Sequence, residues 1–380
     1  MRIISLLIAT AIPLIFLYIV YTLDLYKTGT FRYILTCFVA GGAAFVAAYF
    51  FNRMLYTNHF VSRDNIIRFS APIAEEVFKA LILIYLVRRP NFTYFVDGAI
   101  YGFAAGIGFA IFENYQYIFD SSNAGIGLAI GRVISTNLIH ASASGMVGIA
   151  FGLSRFKRFS GRVLLMVFGL LLAMTLHSFF NNLVSRVSGG SVLIFAIVIG
   201  FGGAAFIAYA IKRGLAEEKT WIEEKLGAAD RVTTGEAKVV HRLEDIDTVL
   251  APLVERFGDD KAAQIEQFLT MQARLGILRK TLEKLTDDRM RSGVEKQMGE
   301  LRVEMDKARR AVGSYAMLYL RNIFPADASP LWNRLESAIQ EKAAARPASG
   351  GPNLWATLDK RAAKPATPPA TPPATPPAAG

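Results

Sequence analysis

The sequence has very little cysteine and little histidine, with one cysteine and four histidines among 380 residues. The lone thiol, Cys37, excludes an internal disulfide framework and a metal cluster built from cysteines. Residues 1–211 hold nearly all of the long apolar runs, and the rest of the chain looks soluble. With 53% hydrophobic residues and a mean hydropathy of +0.33, the composition is typical of a membrane protein.

About seven stretches of the first half are long enough to cross the membrane as helices, because ~30 Å of hydrocarbon requires about 20 apolar residues. The predicted spans are 3–21, 32–51, 71–87, 94–118, 124–153, 162–184 and 191–211. The first could be mistaken for a secretory signal, but no small-residue cleavage site follows it, so we interpret it as an anchored helix. The sequence thus predicts an all-α, polytopic transmembrane helix bundle.

Lysine and arginine in the short loops predict the orientation, since these residues are retained on the cytoplasmic side. One side of the predicted bundle collects Lys27, Arg32, Arg88, Arg89, Arg155, Lys157, Arg158, Arg162, Lys212 and Arg213. The other side has Arg2, Arg53, Arg63, Arg68 and Arg186. We therefore expect a multi-pass protein of the cell membrane with an outer N-terminus and a cytoplasmic C-terminal half.

Residues 212–342 are predicted to form a cytoplasmic α-helical domain. Apolar residues recur there in steps of three and four, which is typical of a coiled-coil seam. The first seam runs through Phe268, Met271, Leu275, Leu278, Leu282 and Leu285, and the second through Val294, Met298, Leu301, Met305, Ala308 and Val312. The polar segment LTDDRMRSGV between the two seams predicts a helical hairpin, which could serve self-association.

Residues 343–380 end in KPATPPATPPATPPAAG, a proline and alanine repeat that cannot bury a core. We predict a disordered tail there. The formal net charge of +11 is spread along the chain rather than gathered on one helix. That distribution favours anionic lipid head groups over nucleic acid as the partner of the basic residues.

Two adjacent carboxylates, Glu75 and Glu76, interrupt the apolar run APIAEEVFKALILIYLV of the third span. A charged group at membrane depth costs roughly 2.5 to 3.5 kcal/mol on insertion scales, so the pair needs a compensating role. Lys79 lies four residues after Glu75 and three after Glu76, close enough in a helix to form an ion pair with either. The pair could therefore fix helix packing or serve a functional site.

Further polar groups in the later spans gather on the same side of the midplane as the Glu pair. Glu113 and Asn114 close the fourth span, His140 lies in the fifth, and His177 and Asn181 share one face of the sixth. At about 1.5 Å of rise per residue, the Glu pair, Glu113 and His177 come to about 6 to 10 Å below the outer boundary, and His140 to about 14 to 20 Å. The convergence predicts a polar pocket between helices that opens toward the outer face.

Small residues also recur every four positions along the fourth span, at Gly98, Gly102, Gly106 and Ala110. Such a stripe lets membrane helices approach closely. It continues along the same helix face to Asn114 and so leads into the polar end of the span.

The polar inventory is suited to hydrolysis of a buried amide by either of two routes. Two histidines and a carboxylate can hold a divalent metal such as zinc with one position open for water, and the candidate ligands are Glu76, His140 and His177. Alternatively, a carboxylate takes a proton from water directly while the histidines stabilise the oxyanion. The residues leave both routes open.

The segments EEVFK, FENYQY, His140 and HSFFN, in this order along successive spans, resemble the PrsW-type intramembrane proteases. That group shares a superfamily with the CAAX prenyl endopeptidases and the bacteriocin-processing enzymes. The resemblance covers roughly residues 60–211 and implies a catalytic Glu pair, Glu75 and Glu76, that activates water. It further implies that His140 and His177 complete the centre, with Asn181 beside His177; from their positions, Lys79, Glu113 and Asn114 are expected to support it.

Two departures separate the chain from the prenyl endopeptidases. Those enzymes have arginine four positions after the second Glu, where this chain has Ala80, and phenylalanine four positions before the first histidine, where Thr136 stands. The PrsW-type branch is therefore the better match, and it implies a membrane-anchored protein substrate, for which an anti-sigma factor is one candidate.

Two other classes of function are compatible with buried carboxylates and histidines. A proton-coupled transporter uses such groups as a relay, but it usually shows inverted repeats or broken helices around a midplane site. We find no repeat that relates the spans. An inactive membrane scaffold that presents the C-terminal helices to partners would tolerate replacement of Glu75 and Glu76.

Overall fold

The computed structural model describes residues 2–121, 125–186, 190–227, 232–243 and 246–322. Within these ranges every regular element is a helix, which confirms the predicted all-α class. The predicted tail, 343–380, and the last part of the predicted C-terminal domain, 323–342, lie outside the described residues.

The described residues of the first half of the chain form nine helices, two of them joined by a π-helical turn at Ile66–Ser70. They are α1 Arg2–Thr22, α2 Phe31–Thr57, α3 Arg63–Asn65, α4 Ala71–Leu86, α5 Phe95–Asp120, α6 Ile126–Ile134, α7 Thr136–Ser154, α8 Phe159–Arg186 and α9 Gly190–Lys225. Six segments of the described chain are long and apolar enough to cross a membrane: α1, α2, α5, α6 with α7, α8 and most of α9. The protein is a multi-pass membrane protein.

The third predicted span differs from the other six. It is α4, with only 16 residues, or about 24 Å at 1.5 Å per residue, and is therefore too short to count as a span by itself. Its apolar run is interrupted by the Glu pair and Lys79. The π-helical turn connects α3 directly to α4. The segment 63–86 is therefore helical throughout, with an irregular turn near its start.

Helix α5 lies at the centre of the bundle, and every residue from Phe95 to Ile111 is buried. A Cβ atom on Gly102 would fall 2.1 Å from the backbone oxygen of Ser144 in α7, and one on Gly106 would fall 2.3 Å from that of His140. The two helices therefore touch backbone to backbone, which only glycine permits. The predicted stripe of small residues is confirmed, and it fixes the register between α5 and α7.

Helix α2 approaches α5 just as closely on another side. A Cβ atom on Gly41 would lie 2.0 Å from the backbone oxygen of Ala105, and one on Gly108 would lie 2.0 Å from that of Phe38. Glycine of each helix thus meets the backbone of the other. Together the two contacts leave α5 little freedom to shift or rotate.

The fifth predicted span, 124–153, is not one helix. It breaks at Ser135, whose backbone angles of φ −119° and ψ −80° lie outside the helical region. The Ser135 hydroxyl donates to the backbone oxygen of Gly131 at 2.5 Å and so closes the end of α6. The break starts α7 one turn before His140, so this histidine lies close to a helix end rather than deep in a continuous span.

The C-terminal helices are α10 Thr234–Val240, α11 Ile246–Phe257, α12 Asp259–Lys284, α13 Asp288–Val312 and α14 Ser314–Asn322. Helices α12 and α13 pack on each other across a short turn at 285–287, which confirms the predicted helical hairpin. Nine of the twelve predicted seam residues are buried: Phe268, Leu275, Leu278, Leu285, Val294, Met298, Leu301, Met305 and Val312. A coiled-coil supertwist and self-association remain predictions.

The α12–α13 hairpin packs against one end of the bundle, which we call the hairpin end. Lys27 of the α1–α2 loop pairs with Glu266 at 3.2 Å, and the Lys284 ammonium lies 4.0 Å from the ring centroid of Trp221. Helix α9 itself continues to Lys225, across the predicted domain boundary at residue 212. That the hairpin end faces the cytoplasm remains a prediction from the positive charges.

The close contact of α5 with α7 predicts a sharp difference between two glycine substitutions. Gly102→Ala places a methyl group into the Ser144 backbone, and we expect a loss of about 1 to 3 kcal/mol in the free energy of unfolding from overpacking. The matched control is Gly202→Ala in α9, which meets no atom within 4 Å and should be neutral or slightly stabilising. Thermal unfolding of both purified variants in detergent measures the difference, and equal stability would contradict the packing.

Candidate functional site

Four helices bring ionisable side chains together in the half of the bundle away from the hairpin end. Helix α4 contributes the Glu pair and Lys79, α5 contributes Glu113, α7 contributes His140 and α8 contributes His177. Neighbouring members of this group lie 2.6 to 3.7 Å apart. The structure thus brings together six of the eight predicted site residues in one centre, which we call the Glu–His centre.

Glu76 is fully buried and holds two partners with one carboxylate oxygen. Its Oε1 accepts from the Lys79 ammonium at 2.6 Å and lies 2.9 Å from Nδ1 of His177. Its Oε2 has no hydrogen-bond partner among the described residues. Glu76 therefore balances the charge of Lys79 and sets the orientation of the His177 ring.

Glu75 points to the same histidine from the other side. Its Oε2 lies 3.7 Å from Nε2 of His177, beyond hydrogen-bond distance, and this oxygen has no hydrogen-bond partner within the described chain. The Glu75 side chain keeps 12% of its surface exposed, whereas that of Glu76 keeps none. Both carboxylates keep a buried Oε2 without a partner in the described chain, but Glu75 is the more exposed of the two and groups with both histidines as a candidate metal ligand.

His140 is fully buried between Glu113 and Lys79. Its Nε2 lies 3.0 Å from Oε2 of Glu113, and its Nδ1 lies 3.2 Å from the Lys79 ammonium. Its ring meets the His177 ring edge to face at 4.6 Å between centroids. With the proton on Nε2, the tautomer that suits both neighbours, His140 donates to Glu113 and keeps a lone pair on Nδ1.

Glu113 and Asn114 form a second network behind His140. The Arg132 guanidinium donates to Oε2 of Glu113 at 2.7 Å and to Oδ1 of Asn114 at 2.8 Å. Asn114 in turn donates to Oδ1 of Asn137 at 2.6 Å. Arg132 thus pairs with a carboxylate, and the network ties α5 to both halves of the broken fifth span.

Asn181 lies on the same helix as His177 but does not reach the Glu–His centre. Its amide donates to the backbone oxygen of Ile67 at 2.9 Å, and that of Asn182 donates to the backbone oxygen of Arg68 at 3.3 Å. Both acceptors belong to the π-helical turn before α4, where the α-helical hydrogen-bond pattern is altered. Asn181 therefore supports the turn that carries the Glu pair.

The sequence analysis missed two features of the centre, the ring of Phe109 and the π-helical turn at Ile66–Ser70. The ring of Phe109 lies 4.9 Å from that of His140 and 4.8 Å from the Lys79 ammonium, so it covers one side of the centre. The spacing offered a signal, because Phe109 precedes Glu113 by four residues and shares its helix face. The π-helical turn at Ile66–Ser70 has no comparable signal.

The residues fit a divalent metal, with one change from the predicted ligand set. One donor atom each from Glu75, His140 and His177 lies within 4.8 Å of the others, so the candidate ligand group contains Glu75, whereas the predicted set contained Glu76. Two imidazoles and a carboxylate are a donor set that zinc favours, and the unpartnered Oε2 of Glu75 suits it. Glu76 and Glu113 stand behind the histidines as hydrogen-bond acceptors.

The arrangement of these groups agrees with a comparison of the whole chain with known families. A family described as PrsW family intramembrane metalloprotease matches residues 29–217. The chain belongs to the PrsW family. Comparison with curated proteins gives no match, and comparison with solved structures gives none either.

The PrsW match confirms the resemblance seen in the sequence and extends it to α2, which packs against α5. All residues of the Glu–His centre fall within the matched segment, whereas helices α10–α14 lie beyond it. Membership in the PrsW family supports an intramembrane protease. It leaves the C-terminal helices without an assigned role.

The affinity for zinc should distinguish the role of Glu75 from that of Glu76. We expect the purified chain to bind zinc, with Glu75→Gln weakening binding more than Glu76→Gln, since Glu75 belongs to the candidate ligand group and Glu76 only orients His177. Loss of a residue that orients a ligand weakens binding by about 10- to 100-fold. Metal titration followed by elemental analysis measures the order, with the exposed carboxylate variant Asp64→Asn as the matched control. A larger loss for Glu76→Gln would instead favour the ligand set that includes Glu76.

Proposed function

We propose that this PrsW family protein hydrolyses a peptide bond of a membrane-linked protein at the Glu–His centre. The observation that supports the proposal is the carboxylate of Glu75, whose Oε2 is buried and unpartnered 3.7 Å from Nε2 of His177. Leaving such an oxygen without a partner is unfavourable in an apolar surrounding. A water molecule or a metal ion is the partner that a hydrolytic centre would supply.

Glu76 and Glu113 act as positioning residues in this proposal. Glu76 accepts from Nδ1 of His177, and Glu113 accepts from Nε2 of His140. Each carboxylate fixes the tautomer and the ring orientation of its histidine, so that Nε2 of His177 and Nδ1 of His140 keep their lone pairs. Lys79 compensates the charge of Glu76 at 2.6 Å.

We propose a divalent cation, zinc being the best fit to the donors, held by Glu75, His140 and His177. When bound, the cation would polarise the scissile carbonyl and lower the pKa of a water molecule. The surrounding apolar helices exclude bulk water, and the buried carboxylates keep the two imidazoles oriented before the substrate arrives.

One contact favours a metal-free route for the same reaction, namely the Lys79 ammonium 3.2 Å from Nδ1 of His140. A fixed positive charge at that position works against a second cation. In this route, Glu75 takes a proton from water as the oxygen attacks the carbonyl carbon, and it returns the proton to the leaving amine. The Lys79 ammonium then stabilises the negative charge on the carbonyl oxygen, and an imidazole does so only when the nitrogen that faces the substrate is protonated.

The proposed substrate is a protein anchored in the same membrane, cut near the outer face. The Glu–His centre lies within the bundle and away from the hairpin end, which the positive charges predict to be cytoplasmic. A peptide bond reaches such a centre most directly from a segment that is itself held in the bilayer. An anti-sigma factor with a single membrane segment is one substrate that the family resemblance suggests.

Cleavage of a reporter tests the proposal. The purified full chain is reconstituted in liposomes with a single-pass reporter protein, and the product is measured by gel and mass spectrometry. We expect Glu75→Gln and His177→Gln to lower the cleavage rate by about 10²- to 10⁴-fold, as for loss of a general base or an equivalent group. Asp64→Asn is the carboxylate control and should cleave at the wild-type rate. Full activity in the Glu75 and His177 variants would rule out this centre.

The same assay separates the two routes. For the metal-dependent route, a membrane-permeant chelator should abolish cleavage and zinc should restore it. For the metal-free route, cleavage should persist after complete removal of metal, as checked by elemental analysis of the same sample. The outcome decides the catalytic type without changing the assignment of the centre.

A further inference from the structure

A cavity of about 320 Å³ lies at the hairpin end of the bundle, away from the Glu–His centre along α4. Helices α4, α7 and α8 form its walls, and α13 of the hairpin closes one side with Met290. Its apolar lining includes Phe151, Met166 and Leu170, whereas its polar side chains are three arginines: Arg88, Arg155 and Arg162. The cavity is thus apolar along its walls and cationic at one end.

Arg155 is the most unusual of the three because it is buried, with 1% of its surface exposed. It follows the last residue of α7, and its Nη1 donates to the backbone oxygens of Val87 at 2.5 Å and Arg89 at 3.0 Å. Its Nε and Nη2 have no hydrogen-bond partner in the described part of the chain. Burial lowers the pKa of Arg155 to about 10, so the guanidinium is still charged at neutral pH.

A buried guanidinium with unused donors is expected to have an anionic partner. Two described carboxylates act on Arg155 electrostatically, Asp97 and Asp287, but neither forms an ion pair with it. Asp97 already accepts from Thr28 and Thr93. Asp287 lies 3.7 Å from Arg162 and caps α13 by accepting from the backbone amides of residues 289 and 290. The acceptors at hand are therefore engaged elsewhere.

Arg162 and Arg88 add to the positive charge around the cavity. The Arg162 side chain is 22% exposed, and its Nε also lacks a partner among the residues described. Arg88 is exposed and lies at the hairpin end of α4. Against the carboxylates of Asp97 and Asp287, the three arginines leave an excess of positive charge that an anion would balance.

We propose that this cavity binds an anionic phospholipid, with the phosphate at the three arginines and an acyl chain along the apolar wall. Basic pockets between transmembrane helices on the cytoplasmic side recognise anionic lipid head groups. A soluble phosphate would satisfy the guanidinium groups but would leave the wall of Phe151, Met166 and Leu170 unfilled. The combination of both features therefore fits a molecule with a charged head and a hydrocarbon chain.

The bound lipid would contact two parts of the chain at once. Arg88, Arg155 and Arg162 belong to the membrane bundle, whereas Met290 belongs to α13 of the hairpin. The hairpin also approaches the loop 87–94 between α4 and α5, which carries Arg88. A Cβ atom on Gly293 of α13 would lie 3.5 Å from Pro90 of this loop. Lipid binding should therefore add to the docking of the hairpin on the bundle.

Native mass spectrometry of the full chain in neutral detergent tests the proposal. The probes are phosphatidylglycerol and phosphatidylcholine with identical acyl chains. We expect phosphatidylglycerol to bind more tightly, and Arg88→Gln with Arg162→Gln to weaken its binding by roughly tenfold or more. The control double variant, Lys157→Gln with Arg158→Gln, removes the same charge from exposed residues that do not line the cavity, and it should bind within about twofold of wild type.

Each alternative outcome overturns a defined part of the proposal. Equal weakening in the two double variants would mean that surface charge alone attracts the lipid. Equal binding of the two lipids would remove the role of the anionic head group. Competition by glycerol phosphate at the same concentration as the lipid would point to a soluble phosphate as the ligand. Arg155→Gln serves as a further variant only if its thermal unfolding in detergent matches wild type, because Arg155 also holds the Val87 and Arg89 carbonyl groups.

Discussion

The ion pair of Glu76 with Lys79 is the interaction on which the Glu–His centre depends. No more than 1% of either side-chain surface is exposed, and Nζ of Lys79 lies 2.6 Å from Oε1 of Glu76. Removal of one partner from such a pair leaves an uncompensated buried charge, which costs about 3 to 5 kcal/mol. Each histidine touches one member of the pair, His177 through Glu76 and His140 through Lys79. Because the pair is neutral as a unit, the bundle can hold a further carboxylate, Glu75, beside it.

The position of His140 is set by helix packing rather than by the charges. Glycines of α5 contact the backbone of α7 directly, and one of these contacts, at Gly106, is with His140 itself. A shift of α7 by one turn would move His140 by about 5.4 Å and break its contact with Glu113 at 3.0 Å. The backbone contact is thus a geometric condition for the chemistry, although no glycine takes part in it.

Several features of the centre could be predicted from the sequence, because they follow from helical spacing. The pairing of Lys79 with Glu76 at three residues and the stripe that ends near Glu113 both depend only on local geometry. The choice between Glu75 and Glu76 as candidate metal ligand does not, since adjacent helical residues point about 100° apart and tertiary packing decides which one groups with both histidines. The break at Ser135 and the π-helical turn also depend on neighbouring helices, so the sequence predicted one continuous span over 124–153 and a loop before residue 71.

Helix α4 shows why the centre needs more of the chain than its own residues. At its first turn, the amide of Asn181 in α8 holds the π-helical turn, and at its last turn Arg155 after α7 holds the backbone of Val87. The two helices that supply the histidines therefore also fix both ends of the helix that supplies the carboxylates. By itself in lipid, a helix of 16 residues with three charged groups would not keep one fixed rotation about its own axis. Its orientation follows from α7 and α8, and for that reason a change at either end of α4 is expected to alter the distance between Glu75 and His177.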